Sequence, residues 1–117
     1  MKKKIFIFDL DNTICKTTKS DYKNSKPIKK TINLINKLKK NQHEVIIYTA
    51  RYMNSYKGNK EKIKKKYYKK TYNYLLKIGL TFDKLLMGKP KYDFFVDDKS
   101  FNPKTINLEK VFKKYLN

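Results

Sequence analysis

Ile5-Phe6-Ile7-Phe8-Asp9-Leu10-Asp11-Asn12-Thr13 is the stretch that decides the reading of this chain. Four consecutive β-forming apolar residues end abruptly on two carboxylates spaced two apart. A continuous apolar run, rather than an alternating one, suggests a strand covered on both faces, as in a parallel sheet. Val45-Ile46-Ile47-Tyr48 repeats the pattern and stops at Thr49. Phe94-Phe95-Val96 repeats it again and stops at Asp97-Asp98, and Leu85-Leu86-Met87 is a weaker fourth strand.

Helical patterns lie between these runs. Ile28, Ile32, Ile35 and Leu38 recur at spacings of four, three and three behind Pro27, a residue suited to a first helical turn. A second helix is predicted over 60–78, carrying Ile63, Tyr67, Tyr74, Leu75 and Ile78, with Gly79 as its stop. A third, over 107–116, places Leu108, Val111, Phe112 and Tyr115 on one face. Strands alternating with helices imply an α/β fold, whose ligands bind beyond the carboxyl ends of the strands. Every polar cluster falls at such an end.

The 117 residues suffice for one domain with one core, and the whole of 1–117 is read as a single unit. The net charge of +20 would allow nucleic acid, an anionic membrane surface or acidic small molecules as partners. Of thirty basic residues, however, only Arg51 is arginine. The planar fork that reads phosphates and bases is therefore nearly missing, and most lysines are read as solvated surface. Nucleic acid and membrane are not the expected partners. Cys15 is alone, which excludes an internal disulfide and suggests a reducing, cytoplasmic setting. The apolar run behind Met1 is too short for a signal peptide or a membrane span. His43 and Cys15 are read as structural, and the Tyr67, Tyr68, Tyr72 and Tyr74 group as core and rim of a helix.

Two carboxylates beyond one strand end repel each other unless a cation or a shared proton intervenes. A hard divalent ion suits an all-oxygen site, and Mg²⁺ commonly joins one or two carboxylates to a substrate phosphate. Alone, such an Asp-x-Asp pair is equally well a turn. The ordered set carries more: Asp9-x-Asp11-x-Thr13, a strand ending in Thr49, Gly88-Lys89-Pro90, and a strand ending in Asp97-Asp98. This set resembles the four motifs of the haloacid dehalogenase (HAD) superfamily over nearly the whole chain.

The resemblance implies a three-layer α/β/α Rossmann-like fold around a central parallel sheet. It also implies a Mg²⁺-dependent phosphomonoester hydrolase working through an aspartyl phosphate. Asp9 then corresponds to the nucleophile and Asp11 to the general acid and base. Thr49 holds a phosphoryl oxygen beside the Ala50 backbone N–H, and Lys89 offsets charge on nucleophile and phosphoryl group. Asp9, the Asp11 carbonyl and Asp98 would ligate Mg²⁺, with Asp97 as an alternate ligand. Asn12 stands where many members carry glycine, and is placed with Ala50 among the substrate contacts.

No large cap domain fits between these motifs, so the chain looks like a capless member. Tyr48-Thr49-Ala50-Arg51, Tyr56-Lys57-Gly58-Asn59 and Met87-Gly88-Lys89-Pro90 resemble small phosphatases encoded with capsule and surface-polysaccharide genes. On that likeness residues 52–62 form a substrate-selecting loop, with Arg51, Tyr56 and Asn59 as the selecting residues; Gly58-Asn59 is also a common turn pair. The expected substrate is a small phosphorylated sugar, polyol or amino alcohol. A homo-oligomer shielding the uncapped site is also expected. The alternatives are a polynucleotide or phosphoprotein phosphatase, and a non-catalytic nucleic-acid-binding protein.

Overall fold

The computed structural model describes residues 2–117. Strand β1 (Ile5–Phe8) pairs in parallel with β4 (Glu44–Thr49), and β4 with β5 (Lys84–Met87), in the order β1-β4-β5. Helix α1 (Lys29–Lys40) links the first pair and α2 (Lys60–Lys77) the second. Two β-α-β units therefore build a central parallel sheet, the α/β fold expected. A two-residue ribbon, β2 (Cys15–Lys16) against β3 (Lys26–Pro27), closes the loop after β1. The chain ends in two short helical turns, α3 (Leu108–Val111) and α4 (Lys113–Leu116). No helix among the described residues is long and apolar enough to cross a membrane.

The register explains why the chemistry gathers at one edge. Phe8 lies level with Ile47, and Thr49 with Met87. All three strands run the same way, so Asp9, Thr49 and Gly88-Lys89 emerge side by side. The core joins Phe6, Phe8, Val45, Ile47 and Leu85 of the sheet to Ile32, Ile35 and Leu38 of α1 and Leu75 of α2. α2 starts on Asn59, whose side chain accepts from the Lys62 N–H at 3.1 Å. It stops as predicted at Gly79, where φ is +81°.

Four expectations need correction. The apolar runs are not covered on both faces: burial alternates along β1, leaving Ile5 and Ile7 65% and 62% exposed. The helices pack on the other face, so the described residues do not supply a second helical layer there. Phe94-Phe95-Val96 forms no strand, and Phe94 and Val96 are 90% and 93% exposed. An apolar run needs a paired neighbour to become a strand, and this one has none; Phe95 turns instead toward Lys89. Pro27 pairs with Cys15 in the ribbon, so α1 begins two residues later, behind Ile28. The last helix breaks at Phe112, which packs with Tyr115 edge-on against Phe6 at 5.1 and 5.6 Å, while Val111 faces solvent.

Candidate active site

Asp9 follows the last residue of β1 and is partly buried. Its carboxylate stands 3.7 Å from the Lys89 ammonium, and that lysine side chain is only 9% exposed. Burial raises the Asp9 pKa above the ordinary carboxylate value, and the Lys89 charge offsets part of that rise. Lys89 reaches Asp9 because its backbone N–H donates to the Thr49 carbonyl at 3.1 Å, tying the Gly88-Lys89 turn onto the end of β4. Gly88 makes the turn with φ at +88°, where a Cβ would also stand 3.0 Å from Lys60. The ammonium donates to the Tyr92 hydroxyl at 3.2 Å and lies 4.8 and 5.2 Å from the Tyr92 and Phe95 rings. Aromatic faces thus hold the cation without neutralising it. The sequence reading missed Tyr92, whose only signal is an aromatic three residues after Lys89.

Thr49 is fully buried, and its Oγ1 accepts from the Arg51 backbone N–H at 3.1 Å. Its own O–H therefore remains available to donate. Asn12 takes φ +63°, a left-handed conformation that asparagine adopts more readily than most residues. Its side chain accepts from the Thr17 N–H at 3.1 Å, bracing the loop that carries Asp11.

Arg51 proves to be central. Its Nε lies 3.1 and 3.0 Å from the two Asp11 carboxylate oxygens, and its Nη2 lies 2.8 Å from Oδ1. Nη2 also donates to the Ser25 hydroxyl at 3.0 Å. The Tyr22 and Tyr74 rings flank the guanidinium at 4.8 and 5.5 Å. Burial alone would lower the Arg51 pKa, but the hydrogen bonds and charge of Asp11 outweigh it and raise the value. Thr17 adds its hydroxyl to Asp11 Oδ1. Asp11 is thus an acceptor through both oxygens, held by a residue forty positions away.

The remaining predicted residues take structural places. Ala50 accepts from the Met53 N–H within a run of turns over 51–58. Tyr52 adopts φ +69°, uncommon for an aromatic residue, and stacks on Tyr67 at 3.7 Å. Tyr56 shares a 2.8 Å hydroxyl contact with Tyr67, and Asn59 caps α2. His43 is buried and its Nδ1 accepts from the Lys4 N–H at 3.1 Å. Asp97 and Asp98 are exposed beside a turn in which Ser100 donates to the Asp97 carbonyl. The structure thus joins Asp9 to Lys89 and Asp11 to Arg51, but does not gather Asp97 or Asp98 with them: no three Asp, Glu, His or Cys side chains among the described residues could hold a metal.

The family of haloacid dehalogenase-like hydrolases matches residues 6–73, a span holding Asp9, Asp11, Thr49 and Arg51. A crystal structure of a protein from Vibrio cholerae is 32% identical, with 97% of each chain covered and a TM-score of 0.81. No curated protein matches. A carboxylate at the end of the first parallel strand, a buried hydroxyl at the end of the next and a lysine looped back from the third sit in a chain matched over more than half its length; it belongs to the haloacid dehalogenase-like hydrolases.

Proposed function

We propose that this hydrolase cleaves phosphomonoesters, with Asp9 as nucleophile and a small phosphorylated sugar, polyol or amino alcohol as substrate. The observation that carries the reading is the Asp9–Lys89 pair, a carboxylate and a caged cation at 3.7 Å on the open edge of the sheet. An anion attacks an anionic phosphate only where positive charge offsets the repulsion. Lys89 supplies that charge.

In the first half-reaction an Asp9 oxygen forms a bond to phosphorus as the bond to the leaving oxygen breaks. The leaving oxygen takes the electron pair and a proton. Water then attacks phosphorus, the aspartyl–phosphate bond breaks, and Asp9 is regenerated. Thr49 directs its free O–H at a phosphoryl oxygen. Asp11 is arranged to accept the proton of the attacking water; to deliver a proton to the leaving group it must first loosen from Arg51.

Hydrolases of this superfamily generally use Mg²⁺. Asp9 offers such an ion one carboxylate oxygen, but Asp97 and Asp98 stand apart, so the described arrangement does not fit a complete Mg²⁺ site. No step above runs through the ion. The segments between Asp11 and Thr49, and between Thr49 and Lys89, hold one α-helix each, with short strands, turns and, in the first, a single 3-10 turn at Tyr22–Asn24. That supports a capless enzyme for which residues 52–62 and a second copy of the chain shape access to the site. The likeness of this loop to surface-polysaccharide phosphatases supports a place in that biosynthesis.

The test is phosphate release, with Mg²⁺ present, from small sugar and amino-alcohol phosphates, 3′-phosphorylated DNA and a phosphopeptide. Turnover of the small substrates, lost about a thousandfold or more in Asp9→Asn, is expected. Turnover that survives the substitution removes Asp9 as nucleophile, and preference for the DNA or peptide removes the substrate class.

A further inference from the structure

A cavity of about 150 Å³ opens on the side of Arg51 bordered by Tyr22, Tyr52 and Tyr74. Lys23 and Lys70 complete its wall together with Thr71. It contains neither Asp9 nor Lys89, and a larger hollow beside β5, about 330 Å³, contains no residue of the site at all.

Three features of the smaller cavity point the same way. Its charged lining is wholly cationic: Arg51, Lys23 and Lys70, with no acidic side chain. Its donors are not all spent. Arg51 uses Nε and Nη2 on Asp11, Ser25 and Cys15, while Nη1 makes no hydrogen bond among the described residues. Arg51 as a whole is only 4% exposed, and Nη1 is the guanidinium nitrogen left free to meet a ligand. The Thr71 hydroxyl is buried with no partner among the described residues. Finally, the walls are fixed: Tyr52 stacks on Tyr67 and meets Tyr22 edge-on at 4.8 Å, and Tyr74 donates to the Ser25 carbonyl at 3.3 Å.

We propose that this cavity binds a small organic anion, its carboxylate or phosphate group on Arg51 Nη1 and its carbon body between the tyrosine rings. The volume equals that of roughly five waters, enough for an anionic head and a few further atoms. Lys23 and Lys70 at the exposed rim attract the anion, and Nη1 of the fixed guanidinium donates to it. The pocket stands independently of any turnover at Asp9.

Because the chain has one arginine, its Nε–Hε correlation is a single NMR signal that reports this pocket directly. The intact protein is titrated with benzoate, phenylphosphonate and the neutral isostere benzamide. A saturable shift with either anion but not with benzamide is expected, and the tighter of the two identifies the head group. The exposed double variant Lys23→Glu/Lys70→Glu should weaken that binding about tenfold or more. Benzamide matching the anions, no shift at the highest soluble concentration, or an unchanged affinity in the double variant would each overturn the proposal. None of these readouts depends on phosphatase activity, so failure here and failure at Asp9 are separate results.

Discussion

Replacing Arg51 by methionine keeps much of the stem volume and removes the fork that holds Asp11. The arginine side chain is 4% exposed and its partner 20%. Breaking a buried pair by removing one member costs about 3–5 kcal/mol, because the other charge is left without its partner. Asp11 keeps the Thr17 hydroxyl and some contact with water, which places the cost at the low end, about 3 kcal/mol. An unfolding entropy of about 2.1 cal/mol/K per residue gives about 0.25 kcal/mol/K for a chain of this length, so the Tm should fall by about 12 °C. Thermal melts and urea titrations of wild type, Arg51→Met, Asp11→Asn and the double variant measure the pair. The double variant should recover about 1.5 kcal/mol or more relative to additivity, since a neutral amide in place of the Asp11 carboxylate no longer needs the cation. Arg51→Lys retains charge but not the fork, and should lose about half as much stability. A fall of less than about 4 °C in Arg51→Met, or strict additivity in the cycle, would refute the clamp.

Asn59→Ala should cost about 1 kcal/mol in urea unfolding, and Asn59→Asp should keep most of the cap, because the Lys62 N–H needs only a side-chain oxygen. Gly88→Ala forces a Cβ into φ +88° and should cost about 1–2 kcal/mol while displacing Lys89, so turnover should fall further than the melt implies. Asp83 is bonded by the Lys39 ammonium at 2.7 Å and the Val45 N–H at 2.7 Å. Burial raises its pKa, but these partners outweigh it and hold the carboxyl below the usual aspartate value. Its stabilisation is therefore complete above about pH 3.9 and is lost as the pH falls through the lower folded value. Melts of wild type and Asp83→Asn should differ near neutrality and converge in acid.

Local signals carried far into the fold, and stopped where partners distant in sequence decide. Apolar runs located β1, β4 and β5, and 3.6-residue spacing located α1 and α2 with the Gly79 stop. All of these are properties of one short window. The segment at residues 94–96 has the same local signature and forms no strand, because strand formation also requires an edge at the right place and register. The runs of β1 and β4 were read as two-sided because a four-residue apolar window does not reveal which face the helices cover. At the site, Asp9, Thr49 and Lys89 were legible from strand-end motifs, and the parallel register brings them together. The Arg51 fork on Asp11 and the aromatic cage on Lys89 were not. Arg51 stood out as the single arginine and as a candidate for substrate selection, with no signal of its contact to Asp11; its placement is intelligible in hindsight, because a buried, stacked, bidentate position is one where lysine does not substitute.

The free edge of β1 bears on how this protein behaves at high concentration. A strand with no partner on one border among the described residues, and with two isoleucines in water, is a template for edge-to-edge association. Lys2-Lys3-Lys4 immediately precedes it, and every copy carries a net +20, so neighbouring molecules repel before the borders meet. That protection is ionic in origin. Its range shrinks from about 10 Å in 0.1 M salt to about 3 Å in 1 M. Added salt, ordinarily a means of keeping basic proteins dispersed, here strips away the barrier that separates one β1 from the next.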